Sequence, residues 1–130
     1  MKLIESLMYS DDHEWVQAEG NTAYVGITDY AQHALGDIVF IELPPAGTLL
    51  MKESIFGVVE SVKAASDIIL PVSGKGIRVN EAVLEDPSIV NRDPYKSWMV
   101  CIEMSKPEEL DKLMDGPAYK SFCNNLGLEG

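Results

Sequence analysis

The sequence predicts a mostly β domain, a β-sandwich or flattened barrel, with an N-terminal hairpin, a short helix near 29–35 and a C-terminal helix. Three observations lead there. Apolar and β-branched runs separated by turn residues fill the middle of the chain, from WVQAEGNTAYVGI through DIVFIEL and IFGVVESV to SWMVCIEM. Helix-start signals stand only beside them, at Thr28 and around Pro107. The pattern L-P-x-x-G occurs at Leu43–Gly47 and again 27 residues later at Leu70–Gly74, each time after one strand and before another. Two similar β units would build such a sandwich, although short Pro/Gly turns also recur by coincidence.

In chain order, WVQAE and TAYVGI are predicted to pair as a hairpin around Glu19-Gly20-Asn21. Thr28 caps a helix over Asp29–Leu35, and Gly36 supplies the left-handed residue that ends it. DIVFIEL is a strand stopped by Pro44-Pro45, and a short TLLM segment follows. IFGVVESV, 55–62, is apolar on both faces, with Ile55, Gly57 and Val59 on one side and Phe56, Val58 and Val62 on the other, as in a strand sandwiched between layers. IIL, GIRVN and SWMVCIEM are further strands, and LEDPSIVNRDPYKS is a polar loop with room for one helical turn. Pro107, with Ser105 and Glu108 as a capping box, opens a helix EELDKLMD that Gly116-Pro117 closes, and AYKSFCNNLG has the composition of a second helical piece. One domain is expected over 1–130.

Ten basic and 21 acidic residues give a formal net charge of −11, which disfavours nucleic acid and anionic membranes and suits partners with basic faces. No apolar run approaches the roughly 20 residues of a membrane span. The start, MKLIESLMYSDDHEW, meets acids within a few residues and fits neither a secretory signal nor an Arg-rich transit peptide, so the chain is expected to stay in the cytoplasm. Cys101 and Cys123 lack CxxC spacing and are expected as buried or incidental thiols.

Catalytic patterns are weak. His13-Glu14 lacks the second histidine of HExxH, and His33 has no companion ligands. Gly74-Lys75-Gly76 is a turn and not a phosphate loop, Ser61 has no histidine base at an interpretable spacing, and adjacent acids such as Asp11-Asp12 point apart. Lys63 is different in kind. Polarity arrives at Glu60 and Ser61 and the apolar pattern resumes at Ile68, so Lys63 falls where a buried hairpin emerges into water, beside the small Ala64 and Ala65. Spacing alone favours an ordinary surface lysine paired with Glu60 or Asp67.

The stretches HEWV at 13–16, VGITDYAQHALGDIVFIELP at 25–44, FGVVESVKAASD at 56–67, PVSG at 71–74, VNEAV at 79–83 and VNRDPY at 90–95 change that balance. Over about residues 9–115 the chain closely resembles the glycine cleavage H-protein family of lipoyl carriers. Val62 and Ala64 distinguish it from lipoyl domains with Asp before the lysine and from biotinyl domains with flanking methionines.

The resemblance implies a flattened barrel or sandwich of the lipoyl/biotinyl-domain type, with a lipoyl-like core at about 22–104 and a C-terminal helical segment at about 107–127. It implies lipoic acid in amide linkage to Lys63, taking the net charge from −11 to −12, with Glu60, Ser61, Val62 and Ala64 recognised by the lipoate-attaching enzyme. It implies a non-catalytic carrier, with no catalytic residue and no metal. The arm would take the aminomethyl group of glycine from the pyridoxal-phosphate-dependent glycine decarboxylase (P protein) to the tetrahydrofolate-dependent aminomethyltransferase (T protein), and dihydrolipoamide dehydrogenase (L protein) would reoxidise it. Glu14 and Asp67 match positions that line the cleft of the loaded arm. A monomer is expected. Asp12 stands where some members have a hydroxyl, Gly76 where a β-branched residue is usual and Ser97 where glycine is common, and the tail from 116 matches loosely. Two alternatives stay open: a relay that donates lipoyl groups to other lipoate-dependent enzymes, and a β-rich interaction module with Lys63 unmodified.

Overall fold

In the computed structural model, which describes residues 2–126, the alternating segments form two antiparallel sheets. Met8–Tyr9 (β1) pairs with Glu14–Glu19 (β2), and β2 turns at Gly20, φ 60°, into Thr22–Ile27 (β3). Thr28 Oγ1 then accepts from the N–H of Ala31 at 3.3 Å and caps Asp29–Leu35 (α1). Gly36, at φ 79°, ends that helix and donates its N–H to the Gln32 carbonyl at 3.0 Å. The hairpin β2–β3 and helix α1 form where local chemistry predicts them, and β1 is an addition.

Ile38–Glu42 (β4), Leu49–Leu50 (β5), Ile55–Ser61 (β6), Ala65–Ile69 (β7) and Gly74–Val79 (β8) follow. After them come the helices Glu81–Glu85 (α2) and Ile89–Arg92 (α3), then Val100–Met104 (β9), a 3-10 turn at Pro107–Lys112 and Gly116–Asn125 (α4). One sheet has the order β1-β2-β3-β9-β8-β5 and the other β4-β6-β7, and neither closes on itself. The mostly β expectation holds, in its open sandwich form.

Between the sheets Val25, Ile41, Val59, Ile68, Val100 and Ile102 are buried in one apolar core. Each such side chain contributes about 1.5–3 kcal/mol by leaving water. A second cluster, Leu7, Tyr9, Trp15, Tyr119 and Cys123, forms under α4. Tyr9 and Met114 exchange backbone hydrogen bonds at 2.7 and 2.8 Å, which ties the tail to β1.

The repeated L-P-x-x-G pattern has a structural counterpart. Each copy carries the chain from the three-stranded sheet to the six-stranded one, from β4 to β5 and from β7 to β8. The two arrivals then pair, Leu49 with Lys75 and Leu50 with Gly74, and Gly47 donates to the Gly76 carbonyl while Gly76 donates to that of Thr48.

Five expectations need correction. Gly74-Lys75-Gly76 is not a turn but the start of β8, paired with β9 on one side and with β5 on the other. Strand β6 is not sandwiched: a bulge between Ile55 and Gly57 breaks the alternation, so Phe56 turns inward with Val59 while Ile55 is 56% exposed. The strand expected from Ile68 starts at Ala65. The Ser105–Glu108 capping box does not form; Pro107 starts a 3-10 turn with no side-chain cap. Gly116-Pro117 opens α4 instead of closing the preceding element, because Asp115 Oδ1 accepts from the Ala118 N–H at 2.8 Å. The segment expected to run to 127 ends its last helix at Asn125, and residue 127 lies outside the described residues. Helix α2, capped by Asn80 inside the stretch VNEAV, was not anticipated.

Candidate functional site

Strands β6 and β7 pair from Ile55–Ile69 up to Glu60–Ala65, which leaves Val62, Lys63 and Ala64 to make the turn. Without Gly or Pro, the turn is held by Ser61. Its N–H donates to the Ala64 carbonyl at 2.8 Å, and its hydroxyl oxygen accepts from the N–H groups of Lys63 and Ala64, both at 3.2 Å. Lys63 is exposed at the tip. Val62 is 67% exposed, and Val39 and Phe40 on the neighbouring strand are also open to solvent, so an apolar apron flanks the lysine.

The ion pair that spacing favours is absent. Ion pairs among the described residues join His33 to Asp29, Arg92 to Asp86 and Lys96 to Asp93, and Lys63 takes part in none. Its stem lies along Gly36: a β-carbon built there would stand 3.3 Å from Lys63 Cε and 3.8 Å from Nζ. Among the described residues the lysine therefore ends in an amine with no carboxylate partner, on a turn docked against the end of α1.

That docking has a definite path. The N–H of Val62 donates to the Asp37 carbonyl at 3.0 Å, and Ile38 pairs with Ser61. Asn91 on α3 donates to the Gly36 carbonyl and to Gln32 Oε1, both at 2.9 Å, and accepts from the Ile38 N–H at 2.9 Å. Sequence reasoning missed Asn91 and Asp37. The stretches DYAQHALGDIV and VNRDPY contain them, but nothing local marks them as neighbours of Lys63.

Glu14 begins β2 and is only 3% exposed. Ser10 Oγ donates to its Oε1 at 2.6 Å and accepts from its N–H at 3.1 Å. Burial pushes the Glu14 carboxyl up to about 8, against the downward pull of the Ser10 hydroxyl and the Ile69 backbone, while the negative charges of Asp12 and Asp11 push the same way as burial. Asp67 is exposed on β7 opposite Val58, two residues from Ile69 and on the same strand face. Glu14 and Asp67 thus approach one stretch of β7, with no hydrogen bond between them. Ser10, Asp11, Asp12, Lys52 and Glu53 line an adjoining cleft of about 370 Å³ that Glu14, Asp67 and Lys63 do not line.

His13, at φ 67°, sits among Tyr30, Tyr119 and Phe122, with ring centroids 4.6, 5.8 and 5.9 Å away. Burial lowers its pKa, partly countered by Asp12 and Asp11. It is a partly exposed, packed histidine, while His33 is largely exposed on α1.

The model of the family described as "Glycine cleavage H-protein" matches residues 7–126. The chain belongs to this family. A glycine cleavage system H protein of Thermoanaerobacter pseudethanolicus is 57% identical over 124 residues, covering 95% of this chain and 98% of that one. One from Clostridium botulinum is 45% identical and covers 99% of each. The crystal structure of a glycine cleavage system H protein from Mycobacterium marinum superimposes with a TM-score of 0.84 at 33% identity, over 97% of this chain and all of that one.

The H-protein family is the carrier component of the glycine cleavage system, and its members carry lipoate. The match runs to residue 126, into the tail expected to match loosely, where Tyr119 and Cys123 of α4 are fully buried in one cluster with Tyr9 and Trp15. Two of the departures from the family pattern, Ser97 and Gly76, are buried. The Ser97 hydroxyl donates to the carbonyls of Asp93 and Ile89 at 2.7 and 3.2 Å, inside the turn before Trp98. Gly76 lies within the sheet, and a β-carbon there would make only ordinary contacts, the nearest 3.5 Å from Leu50. Asp12 lines the cleft next to Ser10.

Proposed function

We propose that this chain is the lipoyl carrier of a glycine cleavage system, with lipoic acid attached to Lys63 Nζ. One observation supports this above the others: in a member of the H-protein family, Lys63 stands at a hairpin tip, exposed and without an ion pair among the described residues, beside the small Ala64 and Ala65. The residues fit the group. Nζ is reachable, no bulky side chain follows it in the turn, and Val62, Val39 and Phe40 offer an apolar surface beside the attachment point.

The lipoyl group supplies a disulfide on a long tether that accepts and releases the carbon unit, and partner enzymes supply the catalysts. In this reading the aminomethyl group of glycine travels from glycine decarboxylase to aminomethyltransferase, and dihydrolipoamide dehydrogenase restores the disulfide. The chain's own residues attach, present and shelter. Ser61 shapes the turn that presents Nζ. Glu60, Ser61, Val62 and Ala64 are the surface that a lipoate-attaching enzyme meets. Glu14, with Asp67 nearby on β7, receives the ammonium end of the loaded arm, where a charge-assisted contact and exclusion of water would slow its hydrolysis. The carrier works in the cytoplasm as a monomer.

The test has two stages. Protein expressed in cells with a working lipoylation pathway should gain the mass of one lipoyl group at Lys63; an unmodified chain would remove the carrier reading. Purified lipoylated protein should then support exchange of the glycine carboxyl with carbon dioxide by glycine decarboxylase. Lipoyl transfer to a dehydrogenase acyltransferase domain without that exchange would favour the relay instead.

A further inference from the structure

We propose that Asn91 is a positioning residue for acylation of Lys63; the inference rests on the reading that Lys63 is the attachment point. The turn that carries the lysine is short of internal restraint. Its own hydrogen bonds all converge on Ser61, and it has neither Gly nor Pro to fix its backbone. What holds it from outside is the corner where α1 passes into β4. The Val62 N–H reaches the Asp37 carbonyl there at 3.0 Å, and the Lys63 stem lies along Gly36.

That corner is an unusual piece of backbone. Gly36 has φ 79° and ψ −157°, a conformation essentially confined to glycine, and so it needs support from its surroundings. Asn91 provides it on both sides. Its two amide hydrogens go to the Gly36 carbonyl and Gln32 Oε1, and its oxygen receives the Ile38 N–H, so one carboxamide grips the residue at the corner and the residue two beyond it. Asp37, which holds Val62, lies between the two gripped positions. Asn91 is half-buried and uses every hydrogen-bonding group of its amide in this grip. From Asn91 to Lys63 the path is Gly36 and Ile38, then Asp37, then Val62.

This matters to acylation because the transfer is a two-body reaction with strict geometry. The free amine of Lys63 attacks the acyl carbon of an activated lipoyl group such as an acyl adenylate. The amide C–N bond forms, the acyl C–O bond to the nucleotide phosphate breaks, the nucleoside monophosphate leaves and the proton lost by nitrogen goes to solvent. A tip that samples several positions meets the acyl carbon productively less often, and the loss falls on the rate of transfer. A merely structural Asn91 would instead cost stability and leave the transfer rate unchanged.

The experiment compares full-length unmodified wild type with Asn91→Ala, Asn91→Asp and Tyr119→Phe, the last destabilising the chain through α4 and the Thr28 end of α1, at the opposite end of that helix from the Gly36 corner. Asn91→Asp keeps the acceptor for Ile38 and loses both donations, and it serves where alanine does not fold. Lipoylation by a lipoate ligase with ATP is followed by intact mass, global stability by urea unfolding, and protection of the Val62 amide by hydrogen exchange. Expected are at least a tenfold fall in kcat/KM for the Asn91 variants, mostly in kcat, and loss of Val62 protection beyond the change in global stability. Tyr119→Phe should be lipoylated at the wild-type rate. Wild-type rates in the Asn91 variants, or equal slowing by Tyr119→Phe at matched stability, would overturn the proposal. Failure of wild type itself to accept lipoate, while the same ligase modifies a reference lipoyl domain, would overturn the underlying attachment reading instead.

Discussion

The hydroxyl of Tyr119 lies 2.8 Å from Nδ1 of His13. The same oxygen is 3.0 Å from Thr28 Oγ1, the cap of α1, and the Tyr119 ring stacks on Tyr9 with centroids 4.5 Å apart. One phenol therefore joins the tail helix to the start of β2 and to the head of α1. Tyr119→Phe keeps the stacking and leaves two polar atoms short of a partner, so the expected cost is about 1–3 kcal/mol. Urea unfolding measures it, and a loss under about 0.5 kcal/mol would mean that water takes the place of the hydroxyl without penalty.

Glu14 should make stability depend on pH in a direction opposite to that of most carboxylates. Its folded pKa, about 8, stands above the ordinary 4.5, so the folded state holds the proton more tightly. Below about pH 4.5 both states are protonated and nothing is lost. From there to about pH 8 the unfolded chain ionises while the folded one does not, and stability falls as pH rises, by at most about 5 kcal/mol in all. Glu14→Gln keeps the shape and an acceptor for Ser10 but cannot ionise. Unfolding at pH 5 and pH 9 should show a smaller decline for the variant, and parallel declines would count against a buried, protonated Glu14.

The same carboxyl gives the loaded carrier a testable lifetime. An ammonium brought against Glu14 favours the ionised form and gains a charge-assisted hydrogen bond. Glu14→Ala should shorten the lifetime of the aminomethyl-loaded arm about tenfold, equivalent to ~1.4 kcal/mol. Asp67→Ala should shorten it less, because Asp67 is exposed and its contact is screened. The measurement is ammonia release from purified loaded carrier, and an unchanged rate in Glu14→Ala removes Glu14 from the cleft.

Gly26 is required by its neighbour. A β-carbon there would lie 2.7 Å from three atoms of the Trp15 indole, which is 1% exposed and donates Nε1–H to the Pro94 carbonyl at 3.0 Å. The ring cannot withdraw without breaking that bond. Gly26→Ala should cost about 1–3 kcal/mol and alter the Trp15 fluorescence; wild-type stability would show that the sheet yields by a few tenths of an ångström.

Features set by neighbouring residues in sequence were legible in advance. Thr28 and Gly36 bound α1 as their capping chemistry requires, and Gly20 makes the first turn. Features set by distant partners were not. The bulge that exposes Ile55 and buries Phe56 is fixed by pairing with β7, so alternation within 55–62 could not reveal it. Gly116-Pro117 suits the end of one helix or the start of another, and Asp115 decided between them through a single hydrogen bond. At the site, spacing placed Lys63 on a turn but gave it an acidic partner that it does not take, because its stem follows Gly36. Asn91 read as one polar residue in a polar loop, and only the folded chain brings its amide to residues 32, 36 and 38.

The crossings between the sheets tie the lysine hairpin to the rest of the chain in a particular way. In sequence order β4, β5, β6 and β8, the first pairs with the third and the second with the fourth, so the two pairings interleave like the loops of a pseudoknot. Closing either loop shortens the chain that the other must close, so each lowers the entropic cost of its counterpart. Losing either pairing therefore raises the entropic cost of keeping the other. The hairpin that carries Lys63 therefore shares β6 with the pairings that join the two sheets, and its tip is held separately, at the Gly36 corner.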